Sequence, residues 1–110
     1  MDEVINIIKK NAEERVLLGN DGNQDFAMYI DHQVMKKGSV IDVITDKITF
    51  KQPTILVFVD DEPEKNFGHR CHFLLYNAEN GEFIDKVPAK FPHFMHKKIE
   101  TVELFRSSET

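Results

Sequence analysis

The run Ile55-Leu56-Val57-Phe58-Val59, inside Thr54–Asp60, constrains this chain more than any other feature. Successive side chains of a strand point to opposite faces, so an unbroken apolar run belongs to a strand covered on both sides. The segments His69–Tyr76 and Glu82–Val87 follow it and flank Asn77-Ala78-Glu79-Asn80-Gly81. Asn-Gly at the end of a short connection favours a hairpin, because both residues tolerate positive φ. The expected centre of the fold is therefore an antiparallel sheet built on Thr54–Asp60 and the hairpin His69–Val87.

The N-terminal region has a different period. Val4, Ile8, Ala12 and Val16 recur every four residues, with Ile5 beside them, which makes one apolar helical stripe. Asp2 suits its N-cap, Glu3 its first turn, and Gly19 its C-terminal stop. Asn20-Asp21-Gly22-Asn23 reads as a loop. Asp25–Lys37 fits two patterns. Phe26, Ile30 and Val34 have helical spacing, with Asp25 as a cap and Lys36-Lys37-Gly38 as an ending. Phe26, Met28 and Ile30 also alternate, which would let them pair with Val16–Leu18 as a hairpin. The marked ends favour a second helix.

From Ser39 onward the period is two. Val40–Ile44 and Ile48–Lys51 read as strands, and Ile99–Arg106 as a last strand because Thr101, Val102 and Phe105 suit one. The expectation is an α+β fold, with an N-terminal helix, possibly two, packed on a mostly antiparallel sheet of about five strands. A single domain spans 1–106, and 107–110 is a frayed tail.

Charge and composition exclude several function classes. With 14 Lys and Arg against 19 Asp and Glu, the formal net charge is −5. That disfavours nucleic acid and anionic membrane surfaces, both of which need clustered cations. A single cysteine, Cys71, rules out an internal disulfide. The acidic start and the polar interruption at Asn6 do not form a secretory signal, and no apolar stretch reaches membrane-spanning length, so a cytoplasmic protein is expected. No glycine-rich phosphate loop or dinucleotide fingerprint occurs, and no cofactor is expected.

Histidine and cysteine offer the alternative. His69 and His72 form one i,i+3 pair and His93 and His96 another, with Cys71 inside the first. Zn²⁺ takes about four such ligands in a tetrahedron, so His69, Cys71, His93 and His96 are a candidate metal set. Strand alternation sends His69 and Cys71 to one face and His72 to the other. It also places Cys71 with Phe73 and Leu75 on a core face, leaving His72 half exposed. The strand Cys71–Tyr76 after Gly68-His69 resembles the histidine-bearing strand of papain-like and transglutaminase-like folds, which would imply a cysteine hydrolase. No helix bearing a catalytic cysteine accompanies it, and an apolar strand face does not lower a thiol pKa.

Two segments remain. Ile55–Val59 followed by Asp60-Asp61-Glu62-Pro63 resembles the first strand of response-regulator receiver domains, whose acidic pair helps bind Mg²⁺. A receiver opens with that strand and follows it with a helix, and neither holds here. The acidic loop ending at Phe67 and the segment Phe91-Pro92-His93-Phe94-Met95-His96 are rich in residues found at interface cores. Asp60, Asp61, Phe67, Phe91, Phe94 and Met95 are therefore the expected binding surface. The expected function is a small, non-catalytic binding or regulatory domain that contacts another protein through sheet edge and loops, with a homodimer compatible.

Overall fold

The stripe Val4, Ile5, Ile8, Ala12 and Val16 lies on one side of an α-helix, and Asp2–Gly19 forms that helix, α1. In a computed structural model, which describes residues 2–19, 27–42, 47–60, 71–89 and 102–106, seven strands follow. They are β1 (Ala27–Asp31), β2 (Val40–Asp42), β3 (Lys47–Thr49), β4 (Thr54–Asp60), β5 (Cys71–Asn77), β6 (Phe83–Ala89) and β7 (Val102–Arg106). Five of them make one antiparallel sheet in the order β6-β5-β4-β1-β7, and β2 and β3 form a separate antiparallel ribbon. The fold is α+β.

β4 is the central strand, and all seven of its residues are buried. Its odd-numbered side chains Ile55, Val57 and Val59 join Met28 and Ile30 of β1 and Leu74 and Tyr76 of β5 beneath Ile5, Ile8, Ala12 and Val16 of α1. Its even-numbered Leu56 and Phe58 join Cys71, Phe73 and Leu75 on the opposite face. There Ile48 and Phe50 cover them, with Met35 and Ile41 packed alongside. The molecule therefore has three layers: helix, sheet and ribbon. This explains the unbroken apolar run, since the middle layer must be apolar on both sides.

The segment 25–37 corrects the expected second helix. Ala27–Asp31 is a strand, hydrogen-bonded between β4 and β7. Period two prevails over period four because Met28 and Ile30 are both buried under α1, while Tyr29 faces the ribbon side beside Phe58. The alternative pairing with Val16–Leu18 is also wrong, because those residues belong to α1. Met35 then bridges to Thr54. Lys36-Lys37-Gly38, which looks like a helix ending, is a turn into the ribbon. Gly38 has φ +88°, the Ser39 N–H donates to the Lys36 carbonyl at 3.0 Å, and the Gly38 N–H donates to the Phe50 carbonyl at 2.7 Å.

The hairpin β5–β6 closes as its sequence implies. The Asn77 N–H donates to the Glu82 carbonyl and the Gly81 N–H to the Asn77 carbonyl, both at 2.8 Å. Gly81 has φ +78° and sits against α1, where a Cβ would come within 2.9 Å of Ile7 Cγ2. Glycine is required there for conformation and for space.

Candidate functional site

The positions singled out in the sequence divide sharply. Cys71 opens β5 at 3% exposure, on the ribbon face with Phe73 and Leu75. His72 points to the helix face, level with Val59 of β4 and Pro88 of β6. It is 8% exposed, so the expected half-exposed histidine is in fact buried: β5 is covered on both faces. The split of Cys71 and His72 across the sheet follows from strand alternation. His69, His93 and His96, the other members of the metal set, lie outside the described residues, as do Asp61, Phe67, Phe91, Phe94 and Met95. Among the described residues, no group of three or more His, Cys, Asp or Glu side chains could hold a metal ion.

Asp60 departs from its expected place on an exposed rim. It ends β4 at 1% exposure, in a cross-strand row with Ala27 of β1 and Cys71 of β5. Its carboxylate lies near enough to Tyr29 to act on it. Burial, and then the Asp60 charge, raise the Tyr29 phenol pKa above its ordinary 10.0. The row belongs to the interior, and Asp60 is not available to an outside protein in this fold.

Two surface arrangements escaped the sequence reading. The first runs along the seam of α1 and the β5–β6 hairpin. Ile7, Asn11 and Arg15 are spaced by four and so form one line on the helix. Ile7 meets Gly81, Asn11 accepts the Tyr76 hydroxyl at 2.8 Å, and the Arg15 guanidinium lies 3.5 Å over the centre of the Phe83 ring. Arg15 Nε also donates to Asn11 Oδ1 at 2.7 Å. Phe83 and Tyr76 stack edge to face at 5.6 Å between ring centres. Burial holds the Tyr76 phenol well above its ordinary range, with Arg15 opposing that shift. Ile7 of α1 is 51% exposed, and Ile84, next to Phe83 in the edge strand β6, is 40% exposed. One signal was present in the sequence, since Ile7 is apolar but off the buried stripe; Ile84 sits at a bulge between Phe83 and Asp85.

The second arrangement joins three elements at the far edge. Glu103 of β7 accepts from Lys9 Nζ of α1 at 2.8 Å and bonds His32 Nε2, just after β1, at 2.6 Å. These bonds, Lys9 first, hold the Glu103 carboxyl pKa below its ordinary 4.5. Sequence alone cannot pair residues 71 and 94 positions apart without the strand order.

Among the described residues, no helix is long and apolar enough to cross a membrane. No family model matches the chain, no curated protein matches it, and no solved structure matches it.

Proposed function

We propose that this chain is a non-catalytic protein-binding module that meets its partner along the seam of α1 and β6. The observation that carries this reading is the placement of Ile7 and Ile84, large apolar side chains about half exposed, on the two elements bordering that seam. Single exposed apolar residues are common on protein surfaces. Two on the elements that also carry the Arg15–Phe83 stack match the apolar, aromatic and arginine-rich make-up of interface centres. β6 is also an edge strand of the sheet, with Asp85 and Lys86 exposed to form a polar rim. The bulge and Pro88 in β6 discourage indiscriminate strand pairing, which favours a partner docking on side chains over one adding a strand. The net charge of −5 favours a partner with a basic surface, through faster encounter.

The test compares affinity purification from the native lysate with the wild-type chain and with the double variant Ile7→Glu, Ile84→Lys. Both sites are exposed, so the variant should keep its stability within about 1 kcal/mol. A specific protein retained by the wild type should fall at least about tenfold with the variant, equivalent to ~1.4 kcal/mol. Equal retention by both, or no specific protein retained by the wild type, would refute the reading.

A further inference from the structure

We propose that Asn80 is a fold-gated deamidation site: the closed β5–β6 turn keeps it intact, and opening of the turn lets it convert to isoaspartate. Asn80-Gly81 is the one Asn-Gly pair in the sequence. In such a pair the glycine nitrogen can attack the side-chain carbonyl carbon of the asparagine, because glycine has no Cβ to obstruct the approach. The site borders the seam proposed above and does not depend on a partner there.

Both reacting groups are held by hydrogen bonds. The Gly81 N–H must lose its proton to attack, and it donates to the Asn77 carbonyl at 2.8 Å. That bond favours the protonated amide. The Asn80 Oδ1, on the carbon to be attacked, accepts the Glu82 N–H at 2.9 Å. The rest of the turn is tied as well: the Glu79 N–H donates to Asn77 Oδ1, and the Asn77 N–H to the Glu82 carbonyl, both at 2.8 Å. Asn80 is exposed, so water and base reach its side chain. Movement is what the fold prevents. Ring closure must draw the Asn80 side chain off Glu82 and onto Gly81. Gly81 is buried against α1, where a Cβ would lie 2.9 Å from Ile7 Cγ2 and 3.5 Å from the Val4 carbonyl oxygen.

The reaction needs only the chain and water. The Gly81 nitrogen bonds to Asn80 Cγ, the Cγ–Nδ2 bond breaks, and Nδ2 leaves as ammonia with the Gly81 amide proton. Water then opens the cyclic succinimide. Opening at Cγ restores the ordinary main chain and leaves aspartate. Opening at the main-chain carbonyl leaves isoaspartate, whose main chain runs through Cβ and is one atom longer. Aspartate keeps a side-chain oxygen for the Glu82 N–H. The longer isoaspartyl chain has no such fit, because Gly81 has no room to move toward Ile7. Each opening that reacts therefore leaves a chain whose hairpin no longer closes.

The test ages the intact chain in mildly alkaline buffer, folded or in urea that unfolds it, and then digests it with trypsin. Fragmentation of the peptide 71–86 assigns each gain of about 1 Da to Asn80 or to Asn77, which precedes alanine and serves as the internal reference. The unfolded chain should deamidate at Asn80 first, mainly to isoaspartate. The folded chain should do so at least about tenfold more slowly, a factor set by how seldom the turn opens. Chains aged in urea are then refolded and separated by charge. Those with isoaspartate at position 80 should melt at least about 8 °C below the wild type, whereas Asn80→Asp should melt within about 3 °C of it. Equal Asn80 rates in folded and unfolded chains would overturn the proposal. So would isoaspartyl chains that melt with the wild type, or an unfolded chain that deamidates at Asn77 first.

Discussion

Gly38 and Gly81 both have a left-handed backbone, but their surroundings differ. Nothing lies within 4 Å of a Cβ built on Gly38, whereas at Gly81 such a Cβ meets Ile7 at 2.9 Å. Gly38→Ala should therefore cost about 1–2 kcal/mol from conformation alone. Gly81→Ala should cost more, about 2–4 kcal/mol, because α1 must also shift. Urea denaturation of the two variants checks the order. Glu103 gives a second test at this scale. Its folded pKa lies below its ordinary value, so its contribution is present above the unfolded pKa and is lost as pH falls through the folded one. At neutral pH, Glu103→Gln should lower Tm by only about 1–5 °C, since the pair is exposed. That difference should shrink toward zero as the pH is lowered through the carboxylate range, which thermal melts in a series of buffers would reveal.

Among the elements, the ribbon β2–β3 has the least obvious role in the sequence and a decisive one in the fold. Phe50, 1% exposed, is its main anchor on the sheet face formed by Leu56, Phe58, Phe73 and Leu75. Phe50→Ala should cost about 3–5 kcal/mol by leaving a cavity under the ribbon. Val40→Ala, at a site 51% exposed, should stay within about 0.5 kcal/mol, so chemical denaturation separates anchor from surface. α1, β4 and the β5–β6 hairpin were legible because each has a pure period and a marked turn. β1 was not, because Phe26, Met28, Ile30 and Val34 satisfy periods of two and four together. The choice was made by the neighbours β4 and β7, which are distant in sequence. For the same reason Ile7 and Ile84 gave only a local hint of the seam, and the Lys9–Glu103–His32 bridge gave none.

Over the described residues of the whole molecule, the three layers decide which side chains solvent can reach. A sheet covered on one face by α1 and on the other by the ribbon leaves Cys71, His72 and Asp60 inside, and accessible surface at the helix seam and the sheet edges. Of the histidines and cysteine that drew attention in the sequence, the described pair Cys71 and His72 lies on opposite faces of the sheet. The reactivity of Cys71 tests this most directly. Its modification by a small thiol reagent should require unfolding, so the native rate should be at least about a thousandfold below that of the unfolded chain. It should rise with added urea in step with the unfolded fraction. A native rate close to that of the unfolded chain, insensitive to low urea, would contradict a closed ribbon face and return Cys71 to the list of accessible sites.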